Sequence, residues 1–303
     1  MGLGRPCFSC HVAAVRSIRT GLGGMRYRVS VALLALAVAA AAPAQPIKIV
    51  AAENVYGDIA RQIGGDEVAV TSILTNPDQD PHEFEASPST ARALGDATIV
   101  VYNGADYDPW AQKLLSASPS RSRKIVSVAE LLRKKPGDNP HVWYDPRAVL
   151  ALARTLAETL AALDPGHAAD YQGRLATFEK SMTPLAGQIA GLRRKYLGTP
   201  VTATEPVFGY MADALGLDMR HPRFQLAVMN DTEPSAAEIG AFETDLRSKA
   251  VRVLIYNSQT SDALTRRMRM IAQEAGVPVV GVSETEPKGK DYQEWMRSQL
   301  DAV

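Results

Sequence analysis

Ala97-Thr98-Ile99-Val100-Val101-Tyr102 is an almost unbroken apolar run, closed on one side by Gly95-Asp96 and on the other by Asn103-Gly104. A strand that alternates apolar and polar residues has one wet face. A continuous β-branched run of this length fits a strand covered on both faces, as in a parallel sheet flanked by helices. The segments on either side support that reading. Upstream, Ile47–Ala51 and Val68–Leu74 read as strands, with Val55–Ile63 between them as a helix closed by Gly64-Gly65. The polar segment 75–87 leads into a helix over Pro88–Leu94, stopped by Gly95. Downstream, Trp110–Ser116 reads as a helix and Lys124–Val126 as a short strand. Alternating strands and helices predict a parallel sheet with right-handed crossovers.

The middle of the chain has another rhythm. Asp145–Tyr196 contains no convincing strand. Leu150, Leu152, Leu156, Leu160 and Leu163 recur at helical spacing, and Asp164-Pro165-Gly166 breaks the run. A second helix is expected from Ala168 to Tyr196, kinked or locally broken at Pro184. At 1.5 Å per residue it would be about 42 Å long. The α/β rhythm then resumes. Strands are expected at Pro200–Thr204, Phe224–Met229, Val251–Tyr256 and Val277–Val282, and helices at Phe208–Leu215, Ala236–Ser248, Ser261–Ala275 and Tyr292–Leu300. The fold class is therefore α/β: two lobes, each a small, mostly parallel sheet flanked by helices, joined by one long linking helix. The expected division is a leader over 1–44, a first lobe over 45–166, the linking helix over 167–197 and a second lobe over 198–303. No internal sequence repeat is evident.

Arg26 and Arg28 precede the apolar run Val31–Ala42, and Ala42-Pro43-Ala44 has the small-x-small form of a signal-peptidase site. Cleavage is expected after Ala44, which places the mature protein in the periplasm. The apolar run is short of the ~20 residues of a membrane-spanning helix. Translation could begin at Met1 or Met25. Cys7 and Cys10 both fall in the leader, so the mature chain has no disulfide, thiolate ligand or cysteine nucleophile. No cysteine follows the apolar run to carry a lipid.

The chain has 33 basic and 33 acidic residues. The leader holds Arg5, Arg16, Arg19, Arg26 and Arg28 with no acid, so the mature body is acidic by five charges. That argues against a nucleic-acid partner, which calls for a basic excess.

Four histidines lie beyond the leader: His82, His141, His167 and His221. Two of them sit on loops stiffened by proline. His82 is in Asp80-Pro81-His82-Glu83-Phe84-Glu85, just after a predicted strand. His141 is in Asn139-Pro140-His141-Val142-Trp143-Tyr144-Asp145-Pro146, just before a helix. In parallel α/β sheets ligands bind in the loops beyond the carboxyl ends of the strands. His167, at a helix start, and His221, before Pro222, have ordinary structural settings.

These two motifs, in this order and separation, resemble the paired histidine motifs of the metal-binding solute receptors of ABC importers, the manganese/zinc family often called cluster A-I. The resemblance extends to the Asn103-Gly104 turn with downstream Trp110 and to the long linking helix. It implies one divalent ion, Mn²⁺ or Zn²⁺, held between the lobes by four residues. His82 and His141 match the first two. Glu205, in Thr204-Glu205-Pro206-Val207-Phe208, matches the third. Glu284, in Val282-Ser283-Glu284-Thr285-Glu286-Pro287, matches the fourth, with Glu286 as its rival. It also implies a permease of an ABC transporter as partner, a monomeric receptor and no enzymatic activity.

Two imidazoles and two carboxylates suit a borderline dication. A carboxylate in place of an imidazole shifts preference toward harder ions, yet intrinsic affinity runs Mn²⁺ below Zn²⁺ at any such site, so the ligand types leave the metal open. A metal-dependent hydrolase would use similar ligands with an open position, but no H-E-x-x-H, G-x-S-x-G, P-loop or dinucleotide motif stands in a suitable context. A receptor for a metal chelate would call for a cluster of Arg or aromatic residues near the histidines, and none is evident.

Overall fold

Ile49, Ala51, Ile99 and Val101 are all fully buried. They belong to β1 (Ile47–Glu53) and β3 (Ile99–Tyr102), the middle strands of the first sheet. The computed structural model describes residues 45–78, 81–260 and 262–303, with every side chain in them except that of His82. The leader, with its expected cleavage after Ala44 and both cysteines, lies outside the described residues, as do positions 79, 80 and 261.

From β1 the chain runs through α1 (Asn54–Gly64), β2 (Val68–Leu74), α2 (Pro88–Asp96), β3, α3 (Pro109–Ala117), β4 (Lys124–Ser127), α4 (Val128–Leu131) and α5 (Pro146–Leu163). Next come α6 (Ala168–Ser181), α7 (Thr183–Tyr196), β5 (Pro200–Ala203), α8 (Gly209–Leu215), β6 (Asp218–Arg220), α9 (Pro222–Met229) and α10 (Ala236–Arg247). The last elements are β7 (Leu254–Asn257), α11 (Ala263–Ala275), β8 (Val279–Val282) and α12 (Tyr292–Ala302).

Among the described residues two four-stranded sheets result, in the orders β2-β1-β3-β4 and β6-β5-β7-β8. Every pairing is parallel. The two orders are the same. In each sheet the first and third strands are neighbours from which the chain winds outward in opposite directions. That places a topological switch point at the carboxyl ends of β1/β3 and of β5/β7.

Helix starts follow local chemistry. Ser87 and Ser235 head capping boxes with Thr90 and Glu238. Asp145, Asp262 and Asp291 cap α5, α11 and α12 with their side chains. The linking helix is present as two helices, and the break falls at Met182, two residues before Pro184. Proline has no N–H and is tolerated in the first turn of a helix, so the chain restarts α7 around it.

One expected strand is corrected. Phe224–Met229 is helical, part of α9. Pro222 starts that helix in its first turn, and the apolar run buries Phe224 and Gln225 while Phe224 packs on Phe242 with ring centres 4.4 Å apart. The strand that pairs with β5 is instead the polar tripeptide Asp218–Arg220, an edge strand with no apolar run to announce it.

The core crosses both lobes. One apolar cluster joins Ile49, Tyr56 and Val101 of the first sheet region to Phe208, Met211, Ile255 and Val282 of the second. Trp143, Tyr144, Tyr292 and Trp295 lie in the same cluster, so α12 returns from the second lobe to pack on the first.

Candidate metal site

His141 sits in the loop before α5 and is wholly buried, at 0% exposure. Its backbone N–H donates to Asn139 Oδ1 at 3.1 Å, and its Nδ1 is 2.7 Å from that same oxygen. Asn139 Nδ2 in turn donates to Pro206 O at 2.7 Å, which fixes the direction of the amide. This network assigns the proton of a neutral ring to Nδ1, which leaves the lone pair on Nε2. This is how metal-binding imidazoles are commonly oriented. Nε2 lies 3.3 Å from Glu284 Oε2. Two acceptors facing each other across that gap are suited to a cation between them.

The loop carrying His141 is pinned from below. Asn103 Nδ2 donates to Pro140 O at 2.8 Å, and Tyr56 Oη donates to Asn103 Oδ1 at 2.5 Å. The backbone N–H groups of Asn103 and Gly104 donate to the two oxygens of Asp108, at 2.6 and 2.8 Å. Gly104 has a φ of +82°, and a Cβ there would lie 2.5 Å from Ser127 Oγ, so the turn favours glycine. Burial raises the Asp108 carboxyl to about 6. Burial, and then the charge of Asp108, pushes the adjoining Glu53 carboxyl well above the usual range.

Glu205 follows β5 and is 3% exposed; Glu284 follows β8 and is 2% exposed. Glu205 accepts from Thr260 Oγ at 2.5 Å through Oε1 and from Asn257 Nδ2 at 3.1 Å through Oε2. Glu284 accepts from Asn257 Nδ2 at 2.5 Å through Oε1 and from Tyr107 Oη at 2.7 Å through Oε2. Burial and the Glu284 charge hold the Tyr107 phenol protonated, so it remains a donor. Tyr107 and Trp143 stand edge-on to the His141 ring, 5.9 and 5.3 Å away between centres.

His82 lies in the 3₁₀ turn Pro81–Glu83; its side chain is outside the described residues. Its neighbour Glu83 and Glu205 line one cavity of about 920 Å³, together with Asp78, Asp231 and Asp262. The structure thus brings His141, Glu205 and Glu284 together at the ends of β5 and β8 and the loop before α5. Glu286 is directed elsewhere. Its backbone pairs with the side chain of Asn54, and burial followed by Asp58 on α1 pushes its carboxyl up to about 9. A carboxyl held protonated and facing α1 is a poor metal ligand.

The other histidines have structural partners. His167 Nδ1 is 2.6 Å from Asp164, and His221 Nε2 is 3.1 Å from Asp245. His167 also falls in a surface group with Glu67 and Asp170, but Arg174 already answers Glu67 at 2.6 Å. Sequence reasoning missed Tyr107, Asn257, Gln259 and Thr260. The signal available was position: Asn257 ends β7, beside β5 at the switch point.

A family model described as zinc-uptake complex component A, periplasmic, matches residues 49–303. Among curated proteins, a manganese ABC transporter substrate-binding lipoprotein, PsaA of Streptococcus mitis, is 25% identical over 288 residues, covering 87% of this chain and 90% of its own. Among solved structures, the periplasmic zinc-binding protein TroA of Treponema pallidum superposes with a TM-score of 0.72 at 19% identity, over 86% of this chain and 98% of that one. The solute-binding protein FpvC of Pseudomonas aeruginosa, solved with Mn²⁺, gives 0.69 at 20% identity, over 86% and 97%.

Proposed function

The chain belongs to the family of the periplasmic zinc-uptake component A, and from that membership we propose that it is an extracytoplasmic receptor that captures one divalent ion, Mn²⁺ or Zn²⁺, and delivers it to the permease of an ABC importer. The observation that carries this reading is the buried pair of opposed acceptors, His141 Nε2 and Glu284 Oε2 at 3.3 Å, with Glu205 tied to the same group through Asn257. His82, on the loop beside the cleft, completes the set of four ligands. Two neutral imidazoles and two carboxylates give the ligand set a charge of −2, which a dication neutralises. The ligands must be deprotonated to bind, so affinity falls in acid. The ion enters through the cavity that reaches Glu205.

An uptake component binds and releases its cargo, and neither the family nor the relatives support the hydrolytic reading. The export signal over 1–44, cleavage after Ala44, lobes over 45–166 and 198–303 with the linking segment 167–197 between them, and action as a monomer belong to this same proposal.

The test is elemental analysis of the protein from Gln45 onward, stripped and then reloaded with equal manganese and zinc. About one ion per chain is expected, lost in His82→Ala and in Glu205→Ala. No stoichiometric metal, or equal loading of the variants, would overturn the reading.

A further inference from the structure

Glu284 lies between two residues whose backbones are gripped from the first lobe. On one side, Ser283 O accepts from Tyr144 Oη at 2.7 Å. Tyr144 ends the short turn that follows His141, so the loop presenting His141 also holds the neighbour of Glu284. On the other side, the backbone N–H of the buried Glu286 donates to Asn54 Oδ1 at 3.1 Å, and Asn54 Nδ2 donates to Glu286 O at 2.7 Å. One partner is a donor and the other an acceptor, so a single orientation of the amide serves both. Asn54 thereby satisfies the N–H and the C=O of one residue, as a neighbouring strand would.

Asn54 is the first residue of α1, directly after β1. Asp58 and Gln62 follow it on the same face of the helix. Asp58 Oδ2 accepts the backbone N–H of Tyr292 at 3.1 Å, and Gln62 exchanges two amide bonds with Gln293, at 3.1 and 3.0 Å. These two side chains meet the start of α12. Asn54 meets the loop that carries Glu284.

We propose that Asn54 and Tyr144 are positioning residues for the metal site: by gripping Glu286 and Ser283 they hold Glu284 against His141 and set how long the ion stays bound. This rests on the reading of His141 and Glu284 as ligands. For the ion to leave, Glu284 must withdraw from His141 Nε2, which is 3.3 Å away. Withdrawal of the loop backbone breaks the bonds to Asn54 and to Tyr144. A buried backbone group that loses its partner costs free energy, and that cost falls on the opening step. Both grips are present in the closed loop and absent in the open one, so removing either speeds release.

Stopped-flow transfer of zinc from the loaded protein to excess chromophoric chelator tests this in the wild type, Asn54→Ala, Tyr144→Phe and Gln62→Ala, with thermal unfolding of each metal-free form. Tyr144→Phe keeps the ring and loses the donor. Gln62→Ala removes a contact between α1 and α12 and stands for a purely structural bond on the same helix face. Asn54→Ala and Tyr144→Phe are each expected to release zinc about tenfold faster, the effect of roughly one net hydrogen bond. Gln62→Ala should release it at the wild-type rate, even where its Tm falls as far as that of Asn54→Ala. If Asn54→Ala does not fold, Tyr144→Phe against Gln62→Ala decides. Wild-type release from either folded grip variant overturns the proposal, and so does equal acceleration in Gln62→Ala; Glu284 then stands as a ligand held by other contacts. A wild type that takes up no zinc overturns the ligand reading itself, and the grip with it.

Discussion

Asn139 Oδ1 takes two bonds from His141, one from the backbone and one from the ring. In the proposed site the ring bond decides which nitrogen faces the ion. Partners that orient a metal-ligating imidazole are worth about 10–100-fold in affinity. Asn139→Ala is therefore expected to weaken metal binding by about that factor, read by competition with a chromophoric chelator. Asn139→Asp keeps an acceptor for Nδ1–H and loses only the bond to Pro206 O, so it should retain most of the affinity. Equal losses in the two variants would mean that the contact with Pro206, not the tautomer, is what matters. The family resemblance pointed the sequence reading to His82, His141, Glu205 and Glu284, and the fold brings the last three of these together. Tyr107, Asn257 and Thr260 were not legible in the sequence. They are neutral residues whose chemistry arises only once the fold sets them against a carboxylate.

The carboxyl end of β1 holds a second pair of acids, Glu53 and Asp108. Asp108 accepts two backbone N–H bonds from the Asn103-Gly104 turn and is the better place for charge. Glu53 is buried beside it. Burial and the neighbouring Asp108 raise its pKa, so Glu53 holds the proton that the pair shares. An acid whose pKa is raised by folding contributes stability below its unfolded value, ~4.3, and loses it as pH rises toward the folded one. Asp108, raised to about 6, has the same sign. Glu53→Gln needs no proton to stay neutral. Its stability relative to the wild type is expected to match near pH 4 and to gain steadily up to pH 8, measured by urea unfolding of the metal-free protein. A constant difference across that range would show that Glu53 is ionised in the fold. Asp108→Asn should destabilise at every pH, by about 1–3 kcal/mol, because a buried backbone N–H loses its acceptor. At this scale the sequence revealed most helices and buried strands. It failed at α9, where an apolar run next to Pro222 is equally consistent with strand or helix, and at β6, whose three residues pair only because β5 lies beside them.

The two sheets have the same strand order, although the sequence contains no repeat that announces it. Handedness and crossover rules constrain order without constraining side chains, so the symmetry resides in the topology and not in the residues. The lobes are also joined by more than the linking helices. The apolar cluster is continuous from Ile49 to Trp295 and Leu300. Tyr144 Oη, in the loop before α5, donates to Ser283 O beside Glu284 at 2.7 Å, and Tyr292 Oη donates to Trp143 O at 2.9 Å. Opening the lobes widely would expose that core, at roughly 25 cal/mol for each Å² of apolar surface, and would break both bonds. Release of the ion is therefore expected to work through the loops at the strand ends. Hydrogen exchange of metal-free and metal-loaded protein should show protection rising at least about tenfold in residues 139–145, 205–209, 257–260 and 283–287, as binding favours the closed form. The α6–α7 junction around Met182 should not change, and small-angle scattering of the two forms should superpose. A scattering difference with altered exchange at Met182 would instead place a hinge in the linking helices and require the continuous core to part when the ion leaves.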